Sequence, residues 1–282
     1  MPETGNRQDD TPPTIRIRPP RKWAPVDFHE LWAYRELIYS FTLRDVKLRY
    51  KQTGLGIAWA VLQPLLTMVI FTIFFGGLAK IPSEGVPYPV FVLAALLPWT
   101  LFAEGLTRST NSMVTNANIM TKVYFPRLIM PLASIISPLV DFAVSLVLLF
   151  IMMVYYGVVP TINIVFLPLF LLLALATSLG VGLWLSALNV KYRDFQYTVP
   201  FLIQIWMFAS PVVYASSLVP ASLRAWYGLN PMTGVIEGFR WALLGSGTPS
   251  AMVLVSVGMV IVLLVSGMFY FKRMEQYYAD IV

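Results

Sequence analysis

Apolar runs long enough to cross a bilayer recur along almost the whole chain, and they leave few folds open. A transmembrane helix needs about 20 consecutive apolar residues. Windows of about 19 pick out six such runs, at residues 55–79, 86–106, 128–156, 162–188, 197–213 and 251–271. Backbone in hydrocarbon must satisfy its own hydrogen bonds, and a helix does so within one segment. The expectation is an all-α integral membrane protein with six transmembrane helices. Composition agrees: 57% of the 282 residues are hydrophobic and 12% are charged, too apolar for a soluble domain.

An even number of spans puts both termini on one side. Lys and Arg crowd the N-terminal region and the connections after the second and fourth runs, whereas the opposite side carries only Lys80, Arg224 and Arg240. The positive-inside rule then makes both termini cytoplasmic. The net charge of +6 does not point to nucleic acid, because the cations sit beside apolar spans. With no cysteine and a single histidine, His29, no disulfide framework, thiol nucleophile or Cys/His zinc site is available. Residues 1–26 are polar, Pro-rich and basic and lack the apolar core of a signal peptide, so they read as a disordered cytoplasmic tail.

Residues 27–51 form the lead-in. Phe28, Leu31, Trp32, Tyr34, Ile38 and Phe41 fall broadly on one face of a helix lying in the membrane surface, followed by the cations Arg44, Lys47, Arg49 and Lys51. Such a helix serves as an anchor, as a contact for a cytoplasmic partner, or as both. Residues 52–282 are the membrane domain. Within it, the connection at 108–127 is rich in Ser, Thr and Asn and long for a mere link. It is either a solvated connector or a polar helix on which a motor subunit pushes. The loop at 189–196, with Lys191, Arg193 and Asp194, is a second candidate for such a contact, though topology alone also explains its cations.

The stretch from Asn189 to Gly245 carries the most unusual pattern. After the run at 197–213 come two apolar pieces, 221–227 and 231–244, that are too short to cross a membrane and must dip in and return. The second is punctuated by Asn230 as a cap, Pro231 in its first turn and Gly245 after its end. Glu237 and Arg240, at i and i+3, are positioned to pair on one helix face. This stretch reads as the lining or gate of a pathway, with Trp206, Phe208, Tyr214, Trp226, Tyr227, Met232, Phe239 and Trp241 as its candidate residues, joined by Trp59 from outside it. Aromatic rings there form either an interfacial belt or a slide on which the apolar face of a sugar stacks. Asp141 within the third run and Glu104 toward the end of the second are the intramembrane acids. Each is either structural or in contact with a substrate.

The chain has no G-x-x-x-x-G-K-[ST], no H-E-x-x-H and no G-x-S-x-G, so it carries no ATP, zinc or acyl-transfer machinery of its own. No internal repeat marks it as a carrier with inverted halves.

Four pieces together carry a resemblance: Arg49-Tyr50-Lys51-Gln52-Thr53-Gly54-Leu55-Gly56 running into Trp59 and Gln63-Pro64; Asn189-Val190-Lys191-Tyr192-Arg193-Asp194; Ser210-Pro211-Val212-Val213-Tyr214; and Leu229-Asn230-Pro231-Met232. From about Asp27 onward the chain resembles the membrane subunits of ABC-2 type exporters for polysaccharides and polyol phosphates, which include O-antigen, capsule and teichoic-acid permeases. The resemblance implies the ABC-2 exporter fold in a bacterial inner membrane, with two copies forming a channel and two copies of a separate ATPase docked beneath. ATP and Mg would belong to that partner, and this chain would hold no cofactor or metal and be no enzyme itself. It implies ATPase-coupling contacts at the interface helix and the 108–127 segment, here Leu31, Arg35, Asn111, Asn116 and Lys122, with Arg193 from the loop at 189–196. It also implies an outer gate made by two re-entrant helices within 221–244. The cargo expected is a lipid-linked glycan, O-antigen first. Export of another cell-wall glycan, small-molecule ABC-2 export, ion-coupled transport and intramembrane enzymology are the competing classes.

Overall fold

The computed structural model describes residues 28–51, 56, 58–246 and 251–281, and among these every regular element is helical. The tail 1–26, Asp27 and the motif residues 52–55 lie outside the described residues. In chain order the α-helices are α1 (Phe28–Ala33), α2 (Arg35–Lys51), α3 (Ala58–Phe71), α4 (Tyr88–Thr115), α5 (Ala117–Met120) and α6 (Ile129–Ile136). They continue with α7 (Leu139–Tyr155), α8 (Leu167–Lys191), α9 (Phe195–Phe208), α10 (Arg224–Tyr227), α11 (Pro231–Leu244) and α12 (Ala251–Ile281). A π-helical stretch, Thr72–Leu78, extends α3, and a 3₁₀ turn, Ile162–Phe166, leads into α8.

Among the described residues, five segments are long and apolar enough to cross a membrane: Ala58–Leu78, Tyr88–Thr115, Ile129–Tyr155, Ile162–Lys191 and Ala251–Glu275. The run expected at 197–213 is instead the 14-residue α9 followed by a non-helical turn. At 1.5 Å per residue α9 is about 21 Å long, less than the hydrocarbon core. The run at 128–156 is divided, because Pro138 cannot continue a regular ladder and Ser137–Pro138 separates α6 from α7.

The second span, α4, is the hub. Its apolar window is 78% buried, while none of the other four spans exceeds 39%. Small residues let α8 approach it: Gly182 lies against Ser109 and Gly105 against Ser178. Polar side chains then join the two helices, with Ser178 Oγ donating to Phe102 O at 3.3 Å and Asn189 Nδ2 to Thr110 O at 3.1 Å. α12 packs on the other side of α8, where Gly180 abuts the backbone of Leu263 and Leu264.

α4 also runs further than its apolar stretch. The polar segment from 108, read from sequence as either a solvated connector or a polar helix, is helical through Thr115, and its side chains bond back to their own helix. Thr110 Oγ1 donates to Leu106 O at 2.8 Å, Asn111 Nδ2 to Thr107 O at 2.9 Å and Ser112 Oγ to Ser109 O at 2.7 Å. Beyond it, α5 is short, and Lys122, Val123 and Tyr124 form an exposed tip.

Two apolar cores result. The larger joins α4, α7, α8, α9 and α11. The smaller gathers Phe41, Met113, Phe125, Ile129, Met130, Leu183 and Phe271, with Leu31, Tyr34, Leu37 and Ile38 of the N-terminal helices packed on it. The apolar face of those helices differs from the sequence expectation at two positions. A turn at Tyr34 separates α1 from α2, so Leu37 faces the core while Trp32 is 69% exposed.

Gly180→Leu should lower the thermal midpoint in detergent, because over-packing of this kind costs about 1–3 kcal/mol and backbone atoms cannot swing aside. Gly258→Ala, where an added Cβ meets nothing within 4 Å, should leave the midpoint unchanged or raise it.

Candidate functional site

The turn after α9 is the most elaborate construction in the molecule. From Phe208 to Tyr214 the backbone leaves the helix, and its carbonyls have no next turn to accept from. Each has another partner. Phe208 O accepts from Tyr214 Oη at 3.2 Å, Ala209 O from Asn230 Nδ2 at 3.2 Å, and Ser210 O from Val212 N at 2.7 Å. Arg240 Nη1 donates to Pro211 O at 2.7 Å and to Tyr214 O at 3.1 Å, and Arg240 Nη2 donates to Val212 O at 2.7 Å. Tyr88 Oη donates to Val213 O at 2.7 Å.

Arg240 is 4% exposed, and its guanidinium lies over the Phe91 ring with its carbon 3.6 Å from the centroid. Its Nε donates to Phe91 O at 3.3 Å, so the fork of donors is spent on carbonyls. The ion pair expected with Glu237 is not formed: among the described residues no salt bridge joins them.

Asn230 is the second organiser. Its Oδ1 accepts from Met232 N at 3.1 Å, the N-cap bond that the sequence pattern anticipates, and also from Trp206 Nε1 at 2.9 Å. Its Nδ2 reaches Ser210 Oγ at 2.9 Å besides Ala209 O. Pro231 occupies the first turn of α11, and Gly245 ends it at φ 68°, a left-handed cap suited to glycine. Ser256 of α12 ties the same corner down, accepting from Gly234 N at 3.1 Å and donating toward Gly228 O at 2.9 Å and Asn230 O at 3.2 Å.

The gate candidates divide by burial. Met232 and Phe239 are fully buried core side chains. Trp241 packs on Phe166 and Phe170, and Trp206 meets Phe102 edge-on at 5.1 Å. Tyr214 and Tyr227 pair hydroxyl to hydroxyl at 2.9 Å. Trp59, Phe208 and Trp226 are exposed. The structure brings Trp206, Phe208, Tyr214 and Tyr227 together at the turn, whereas Trp59 lies near the opposite end of the bundle.

At that opposite end α1 and α2 lie against α6 and the adjoining ends of α4, α8 and α12. Leu31 lines a groove with Arg127, Met268 and Phe271, and Arg127 Nη1 donates to Glu275 O at 2.7 Å. Arg35 and Arg193 are exposed, as is Lys122 at the tip. Asn111 and Asn116 are built into packing instead: Asn111 Oδ1 accepts from Asn189 Nδ2 at 3.2 Å, and buried Asn116 donates to Ser112 O at 2.8 Å.

Neither intramembrane acid stands alone. Arg49, at the end of α2, reaches Asp141 Oδ2 at 2.7 Å and Glu104 Oε2 at 3.1 Å, and Arg108 reaches the same Glu104 oxygen at 3.3 Å. The Tyr50 hydroxyl donates to the other Asp141 oxygen. Burial first, and then the bond to Asp141, push the Tyr50 phenol up to about 12, so it stays a proton donor at neutral pH. The cluster walls a groove completed by Trp59, Gln63, Thr100 and Ser145. Sequence spacing could not reveal this cluster, because its members come from three helices. Arg49 and Tyr50 stood out only as part of a motif, and nothing marked Tyr88 or Ser256.

Comparison with known proteins follows the same boundaries. A family profile described as ABC-2 type transporter matches residues 36–244. The chain is 31% identical over 252 residues to the O-antigen export system permease protein RfbA of Myxococcus xanthus, covering 87% of this chain and 96% of the relative. It is 27% identical over 248 residues to an O-antigen export system permease protein RfbA of Klebsiella pneumoniae, with 88% and 95% covered. To the polysialic acid transport protein KpsM of Escherichia coli it is 24% identical over 212 residues, with 73% and 81% covered.

Arg240→Met leaves buried carbonyls without donors, at about 1–3 kcal/mol for each orphaned group. Its thermal midpoint should fall well below that of Tyr88→Phe, which removes only the donor to Val213. Equal midpoints in detergent would contradict the capping role of Arg240.

Proposed function

Since the chain belongs to the ABC-2 type transporter family, we propose that it is the channel-forming membrane subunit of an ATP-driven polysaccharide exporter. The observation that carries this reading is the end-to-end similarity to permeases of O-antigen export, which covers 96% of the Myxococcus relative. The cargo is a lipid-linked glycan, O-antigen first, moved from the cytoplasm to the outer face of the inner membrane. Similarity to the polysialic acid transport protein KpsM favours a capsular polymer as the second reading.

The working unit is two copies of this chain with two copies of a separate ABC ATPase, which binds ATP and Mg. A polymer is too long for one enclosed cavity, so a continuous channel between two copies suits it, and two-fold symmetry follows if each chain lines half. Both termini are cytoplasmic. α9 together with the capped turn after it completes a sixth crossing, and the segment holding α10 and α11 re-enters from the outer side as the gate. Non-helical backbone at membrane depth persists only where protein or a wet cavity shields it, and the fully partnered carbonyls from Phe208 to Tyr214 support that placement. Exposed Trp226 and the Tyr214–Tyr227 pair supply flat rings with polar handles on which sugars slide. On the cytoplasmic side, Leu31, Arg35, Lys122 and Arg193 are the side chains offered to the ATPase. Asn111 and Asn116 support that surface from within.

Deletion of the gene in its host should remove one surface polysaccharide while its lipid-linked form accumulates in the cytoplasm. An unchanged envelope glycan profile would redirect the assignment to small-molecule export.

A further inference from the structure

We propose that the Arg49–Glu104–Asp141 cluster is the joint through which the interface helix α2 moves the spans, with Arg49 as its positioning residue. This rests on the reading above, in which an ATPase pushes on α2.

α2 is a continuous helix of 17 residues held at two points. Near its middle, Phe41 packs with Phe125 at 5.8 Å between ring centroids, and Thr42 Oγ1 donates to Ala133 O at 3.5 Å, which fixes it to the inner end of the third span. At its far end, two successive residues grip carboxylates on two different spans. The Arg49 guanidinium bridges Glu104 of α4 and Asp141 of α7 through one nitrogen, and the Tyr50 hydroxyl holds the second oxygen of Asp141. A rigid helix gripped in this way cannot shift along or across the membrane surface without dragging α4 and α7 or breaking the pairs. α4 is the most buried span, so a force applied to it reaches the rest of the bundle.

Two features distinguish the cluster from a simple tether. Arg108 binds the same Glu104 oxygen from one turn away on α4, so Glu104 keeps its charge compensated and its orientation if Arg49 moves. The groove beside the cluster, edged by exposed Gln63 and Trp59, leaves these groups partly open to solvent. Ion pairs in such a setting are weaker than fully buried ones, and they break and re-form within a transport cycle.

Spatial intermediacy alone does not establish coupling, so the test separates hydrolysis from export. The full complex with its ATPase is reconstituted in proteoliposomes, and assembly, ATP hydrolysis and glycan export are measured for the parent, Arg49→Met, Arg49→Lys and Glu104→Gln. Arg49→Met should assemble and hydrolyse ATP near the parental rate while export per ATP falls about tenfold, the scale of a typical coupling energy. Arg49→Lys should recover part of that loss, and the exchange R49D/D141R should export more than R49D alone. If Arg49→Met does not fold, Glu104→Gln, which keeps shape and removes charge, should show the same split in milder form. Parental export per ATP in both Arg49→Met and Glu104→Gln overturns the joint, and so does a proportional loss of assembly, hydrolysis and export. A parent complex that assembles but exports no glycan overturns the functional reading and the joint with it.

Discussion

A backbone carbonyl buried away from water must find a donor, and the turn from Phe208 to Tyr214 presents seven carbonyls outside the helix ladder, those from Ser210 onward on buried or half-buried residues. The structure answers with donors drawn from distant parts of the chain. Tyr88 comes from the start of α4, Asn230 from the cap of α11 and Arg240 from its third turn, while Tyr214 and Val212 bond within the turn itself. One guanidinium satisfies three of these acceptors because its donors are fixed in a planar fork, a geometry that an ammonium cannot match. Much else follows from that requirement. α11 must lie where Arg240 reaches the turn, its N-terminus must sit beside Ala209, and α12 must come close enough for Ser256 to hold the corner.

Much of this was legible in the sequence where local chemistry dictates structure. Asn230-Pro231 and Gly245 delimit α11 because a cap, a fixed φ and a left-handed residue each have one sensible place in a helix. Five of the six long apolar runs became helices long enough to span, because hydrocarbon leaves backbone no other option. What stayed hidden depended on partners far away in the chain. Arg240 and Glu237 have the right spacing to pair, but four carbonyls and the Phe91 ring compete for the same guanidinium and hold it. The polar residues after Leu106 left connector and helix both open, and they continue α4 to Thr115 with their hydroxyls and amides on carbonyls one turn back. Hydropathy reads α6 and α7 as one span, as their joint length supports, but it is blind to the break at Ser137–Pro138 within it. Met232 and Phe239 read as gate lining from their sequence position, and packing puts both in the core.

The two ends of the bundle are built differently. At the end holding the capped turn, rigidity comes from short bonds between neutral groups and one buried cation. At the end holding α1 and α2, contacts are apolar side chains against the neighbouring helix ends, together with ion pairs that remain partly open to water. The first kind of contact fixes one geometry, whereas the second tolerates displacement and re-forms.

The burial of α4 bears on how the protein comes to be in the membrane at all. Among the five long segments it has the lowest mean hydropathy, and it carries Glu104 and Arg108 near one end. A nascent α4 meeting lipid alone would therefore be the most reluctant of the five to partition. In the finished molecule it hardly meets lipid, because α3, α7, α8 and α11 surround it. Its settled place in the bundle therefore depends on α7, α8 and α11, all of which follow it in the chain.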